Sequence, residues 1–133
     1  MKTLDLKDVP TLPEDMDYQC IGLCNVLNSL PTVETSESCC GHCRDIYSIW
    51  FHCDSIKVLS RLGRTLERNY SDGKWELVVD SCDTRPYGLF WLRSKEPFKD
   101  YVEMQDSVSL LENNILYWFD DKFDKHFSKR NRR

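Results

Sequence analysis

The chain has 133 residues, 41% of them hydrophobic and 30% charged, the balance of one ordinary soluble domain that buries a single core without metal or disulfide staples. Its formal net charge is −4, yet Lys129 to Arg133 hold four positive charges, so the rest of the chain sets 14 basic residues against 22 acidic ones. Such an acidic body repels phosphate backbones and argues against a nucleic-acid-binding face, and no run approaches the ~20 apolar residues of a membrane span.

Residues 1–133 are expected to form a single domain. The N-terminal run MKTLDLKDVP mixes charges from the outset, unlike a secretory leader, so a cytoplasmic location is expected, with 1–15 as a flexible N-terminal segment and 129–133 as a basic tail. Seven cysteines are an odd number, and in a reducing compartment they predict free thiols rather than a disulfide framework.

Taken in chain order, Asp17 to Leu30 place Cys20, Ile21, Leu23, Cys24, Leu27 and Leu30 at helical spacing, and Pro31 stops the run. Cys20 and Cys24 fall on the apolar stripe and read as core. Residues 46–53, IYSIWFHC, are β-branched and aromatic. They form a strand with Tyr47, Ile49, Phe51 and Cys53 on one face and Ser48, Trp50 and His52 on the other. Asp54 is placed to cap a helix whose stripe is Ile56, Leu59, Leu62, Leu66 and Tyr70, ending at Ser71-Asp72-Gly73. Residues 75–82 and 87–94 then read as an antiparallel hairpin turning at Asp83 to Pro86. From Asp106 to His126, Val108, Leu111, Ile115 and Phe119 recur at three and four, which predicts a long amphipathic helix. The expected fold is α+β, a sheet of about three strands in the order α-β-α-β-β-α with helices packed on it.

One stretch asks for chemistry: residues 37–53, ESCCGHCRDIYSIWFHC, hold four of the seven cysteines and two of the three histidines. Cys40-Gly41-His42-Cys43 has the letters of a disulfide isomerase. A thiol oxidoreductase, however, needs its C-x-x-C after a strand and at a helix N-terminus, where the dipole and free amides stabilise the thiolate. Here the motif precedes a strand, so disulfide exchange is the least favoured reading. Zinc is the alternative cofactor, because Cys40 and Cys43 have the spacing that lets two thiolates reach one tetrahedral ion. The other ligands would come from Cys39, His42, Cys53 or Cys82.

A third reading treats the stretch as a binding loop. Ser36, Ser38, Gly41 and His42 combine small hydroxyls, a permissive glycine and an imidazole in one turn whose amides can converge on a small polar or anionic ligand. Trp50, Trp91 and Tyr87 would give it an aromatic wall, with Arg85 or Arg93 as counter-charge. No glycine-rich phosphate loop, G-x-S-x-G elbow or H-E-x-x-H helix occurs, and a Cys39/His52 nucleophile pair lacks a third orienting group. A non-enzymatic function without a cofactor is therefore expected.

The run Glu37-Ser38-Cys39-Cys40-Gly41-His42, followed by the aromatic strand Ile49-Trp50-Phe51, a helix and a hairpin, resembles a group of small phage and prophage proteins that share a Ser-Cys-x-Gly-His element. The likeness covers roughly residues 30–95. It implies Ser38, Cys39, Gly41 and His42 as the element that matters, a host-cytoplasmic setting, and a partner that is a small polar ligand or a host protein. Assembly into a homo-oligomer is compatible with it.

Overall fold

In the computed structural model, which describes residues 18–67, 72–80 and 89–119, the first element is α1, Tyr18–Asn28. Its stripe of Cys20, Leu23, Cys24 and Leu27 is buried as the spacing predicts. The chain then turns through Thr32 into β1 (Val33–Cys39) and runs on into β2 (Ser48–Cys53), α2 (Ile56–Glu67), β3 (Trp75–Asp80), β4 (Leu89–Ser94) and α3 (Tyr101–Trp118). The fold is α+β, as expected. The order is α-β-β-α-β-β-α, and the sheet has four strands instead of about three, antiparallel throughout and ordered β1-β2-β4-β3.

The additional strand is β1, whose sequence VETSESC has few apolar residues and reads as loop. It is held by pairing with β2 and by α1: Asn28 Nδ2 donates to Thr35 Oγ1 at 2.9 Å, and the Thr35 amide donates to Asn28 Oδ1 at 2.8 Å. A polar sequence suffices because β1 lies at the sheet edge, where one side of the ladder needs no strand partner.

Helix boundaries differ from expectation in two places. Ser55, not Asp54, caps α2: its Oγ accepts the Val58 amide at 3.2 Å. The buried stripe is Val58, Leu62, Thr65 and Leu66, while Ile56 is 73% exposed. α3 starts at Tyr101, ahead of the expected Asp106, and is capped by Asp100, whose side chain accepts the Glu103 amide at 2.8 Å. Exposed Tyr101 and Val102 had hidden this first turn from the apolar pattern. Tyr70, the turn at 83–86, the helix beyond residue 119 and both termini lie outside the described residues.

All three helices feed one core with the same face of the sheet: Leu23, Leu62 and Met104 pack with Ile49, Phe51 and Leu92. At one end of it Tyr47, Trp75 and Phe98 meet edge to face or tilted, with ring centroids 5.2 to 6.4 Å apart. No described helix covers the opposite face.

Candidate functional site

Register decides what that second face carries. β1 pairs Thr35 with Phe51 and Glu37 with Trp50, so Ser36 is an extra, bulged residue, and its Oγ donates to the Trp50 carbonyl at 3.3 Å. Side chains alternate with period two, so one inserted residue exchanges the faces of everything that follows. Beyond the bulge Ser38 turns to the helix side, where it shares hydrogen bonding with Cys24. Glu37 and Cys39 turn to the helix-free side.

There, three cross-strand rows run over the sheet. Nearest the β1–β2 loop stand Cys39, Ser48, Arg93 and Glu76; next come Glu37, Trp50, Trp91 and Val78; the third row is Glu34, His52, Leu89 and Asp80. Trp50 and Trp91 stack with centroids 4.4 Å apart and planes 11° apart. The Arg93 guanidinium lies 4.3 Å from the centroid of the Trp91 ring, and its Nε donates to Glu76 Oε2 at 2.6 Å. Both tryptophans are half-buried, and Trp91 Nε1 is shielded with no hydrogen-bond partner among the described residues.

The loop at the end of this face is a left-handed turn: Gly41, His42 and Cys43 have φ of +77°, +52° and +61°. Only glycine adopts this region freely, so two consecutive side-chain-bearing residues there store strain. Sulfur helps to hold the turn. The Gly41 amide donates to Cys39 Sγ and the His42 amide to Cys40 Sγ, each at 3.4 Å, while the His42 ring Nδ1 lies 3.7 Å from Cys40 Sγ.

The residues singled out from the sequence therefore separate. Cys39 and Trp50 share the helix-free face, and His42 is exposed on the turn. Ser38 faces the helices, Gly41 is buried, and Cys40 is fully buried in the core. Cys43 is half-buried against that core. Arg85, Tyr87 and Cys82 lie outside the described residues. Among the described residues no group of three or more His, Cys, Asp and Glu side chains is arranged to hold a metal ion. The six cysteines in the described residues carry free thiols.

Arg93, placed in the sequence beside Arg85 as a counter-charge, takes the part of the cation over the aromatic wall. Glu37 and Glu76 went unrecognised. The alternation of β3, WELVVD, was the signal for Glu76; nothing in the sequence marks the bulge that sends Glu37 to the same face.

Compared with protein-family models, curated proteins and solved structures, the chain gives no match. No helix among the described residues is long and apolar enough to cross a membrane.

Proposed function

We propose that this is a non-enzymatic binding protein that engages its ligand with the helix-free face of the sheet, at the end bordered by the Cys40–Cys43 turn. The observation that carries this reading is the Trp50–Trp91 stack, two large aromatic rings on a face that no described helix covers. Aromatic rings are costly to leave in water and are the usual anchors of binding surfaces. The left-handed turn supports the same assignment, because strained backbone is kept where a particular shape is needed.

On this reading the turn positions Cys39 and His42 at the border of the face, and Gly41 sets its curvature. The setting is the host cytoplasm of the phage and prophage proteins that the loop and strand resemble. The flanking carboxylates Glu34 and Glu37 oppose an anionic ligand and favour a partner with positive charge, whereas Glu76 is already paired with Arg93.

The test is a panel of nucleotides, inorganic anions, amino acids and short peptides, with binding followed through the indole N–H resonances of the labelled protein. The expected result is that at least one class moves the Trp50 and Trp91 signals and that Trp50→Leu loses the response. Ligands that bind the wild type and Trp50→Leu equally, or that move only Trp75 and Trp118, would refute the assignment.

A further inference from the structure

Among the described residues, the helix-free face contains one cation seat that is filled and one that is not. Trp91 has two ring faces: Trp50 covers one at 4.4 Å, so Arg93, 4.3 Å from the centroid, covers the other. Glu76, in the adjacent edge strand, completes this seat with a 2.6 Å hydrogen bond to Arg93. A guanidinium between an indole face and a carboxylate is a stable combination, since its plane stacks while its edge donates.

Trp50 repeats the arrangement toward the other edge. One face of its ring is on Trp91, and the other turns toward β1, where Glu37 is its direct cross-strand neighbour on the same side of the sheet. Glu37 is exposed and has no ion-pair partner among the described residues. Glu34, also exposed, follows on the same face of β1. Indole and carboxylate are present here, and no cation among the described residues joins them.

We infer that the Trp50–Glu37 seat receives an arginine side chain of a partner polypeptide. Arginine fits better than lysine because only a planar guanidinium reproduces the stacked and hydrogen-bonded geometry of Arg93. A polypeptide fits better than the free amino acid because one exposed cation–π contact is weak, whereas a chain also covers the half-buried Val78 and Leu89 on the same face. This inference rests on the binding-face reading above and adds the chemistry of the partner.

Three blocked pentapeptides provide the test, with arginine, lysine or the neutral isostere citrulline at the centre, flanked by valine and glycine. Each is titrated into the full chain at low salt while the indole resonances are followed. The arginine peptide is expected to move the Trp50 signal first, with a dissociation constant of roughly a millimolar. Lysine should bind several-fold more weakly, citrulline about ten-fold more weakly, and Glu37→Gln should weaken the arginine peptide about three-fold or more. Glu37 is exposed on an edge strand, so this variant reads the seat without challenging the fold.

Equal affinity for arginine and citrulline, an unaltered response in Glu37→Gln, or no binding of the arginine peptide would each overturn the inference. Binding that appears only after deletion of residues 129–133 would overturn it too, by giving the seat to the chain's own basic terminus. A Trp50 signal that moves on dilution of the protein alone would give it to a second copy. If the arginine peptide fails while another class of the panel still moves Trp50 and Trp91, the partner chemistry falls and the binding face stands. If the peptide binds with both signals unmoved, both fall.

Discussion

A β-carbon on Gly41 would lie 2.6 Å from the carbonyl oxygen of Ile46, inside any tolerable contact and against backbone, which cannot swing aside. The same glycine sits at φ +77°, and its carbonyl accepts the Arg44 and Asp45 amides at 3.0 Å each. The turn between β1 and β2 is thus closed by a residue without a side chain, for steric and conformational reasons together.

Gly41→Val should therefore destabilise the protein by at least ~2 kcal/mol, adding the left-handed penalty of a β-branched residue to the backbone overlap. Urea unfolding of the variant beside the wild type measures it. An unchanged midpoint would show that the turn adapts and that its shape is not imposed at this position.

How much of this was legible in the sequence can be judged residue by residue. The two faces of β2 were, because Ile49, Phe51 and Cys53, continuing the side of Tyr47 just ahead of the strand, alternate with Ser48, Trp50 and His52 in a strand buried on one side, where period two is strictly enforced. Cys20 and Cys24 were legible as core for the same reason at helical period. β1 was not: its partner groups are backbone atoms of β2 and the side chain of Asn28, 7 residues upstream of Thr35, and neither leaves a hydrophobic trace. The bulge at Ser36 is a tertiary choice of register, so the face of Glu37 and Cys39 followed only from the pairing. Grouping Ser38, Gly41 and His42 into one exposed loop failed because the bulge and the left-handed turn send the first two inward.

Ser107 lies between two other polar groups at the edge of the core. Trp75 Nε1 donates to its Oγ at 2.9 Å, and the Ser107 hydroxyl donates to Asp72 Oδ2 at 2.5 Å. Trp75 and Ser107 are 2% and 3% exposed, so Ser107→Ala leaves a buried indole N–H without an acceptor. The expected loss is ~1–3 kcal/mol. Asp72→Ala leaves the indole acceptor in place and removes only the acceptors of the Ser107 hydroxyl, which can rotate, and of the exposed Lys74 amide, which water can satisfy, so it should cost less. Chemical denaturation of both variants checks the order, and a larger loss for Asp72→Ala would contradict the role given to the indole.

Thr32, between α1 and β1, sits at φ +64°, a region that β-branched residues avoid. Among the described residues its hydroxyl has one weak contact, 3.6 Å from Cys53 Sγ. Asparagine enters the left-handed region more readily, so Thr32→Asn should stabilise the protein by roughly 0.5–1 kcal/mol. Thr32→Gly should gain less, because glycine also widens the unfolded ensemble. A lower melting temperature for Thr32→Asn would mean that the contact with Cys53 outweighs the backbone strain.

Buried acids on α1 and just ahead of β2 predict a loss of stability at alkaline pH. Burial between α1 and β1 pushes the Cys24 thiol up from 9.0 to about 11, against smaller opposing hydrogen bonds from Ser38 and Thr35. Burial likewise holds Tyr47 well above 10.0, with nearby Cys20 adding to the effect. Both groups ionise more readily in the unfolded chain than in the folded one. Between pH 9 and 11 the folded state therefore retains a Cys24 proton that the unfolded state has released, and stability falls as pH rises through that window. The Cys24 contribution is intact below pH 9 and amounts to about 2–3 kcal/mol by pH 11. Cys24→Ala should flatten the decline over this window relative to wild type, whatever the small packing cost at neutral pH. Tyr47→Phe should flatten the part above pH 10 while losing the 2.6 Å hydrogen bond from Tyr47 to the Gln19 carbonyl. Urea midpoints at half-unit intervals from pH 7.5 to about 11 give the slopes, and parallel wild-type and Cys24→Ala curves would mean that the thiol ionises alike in both states.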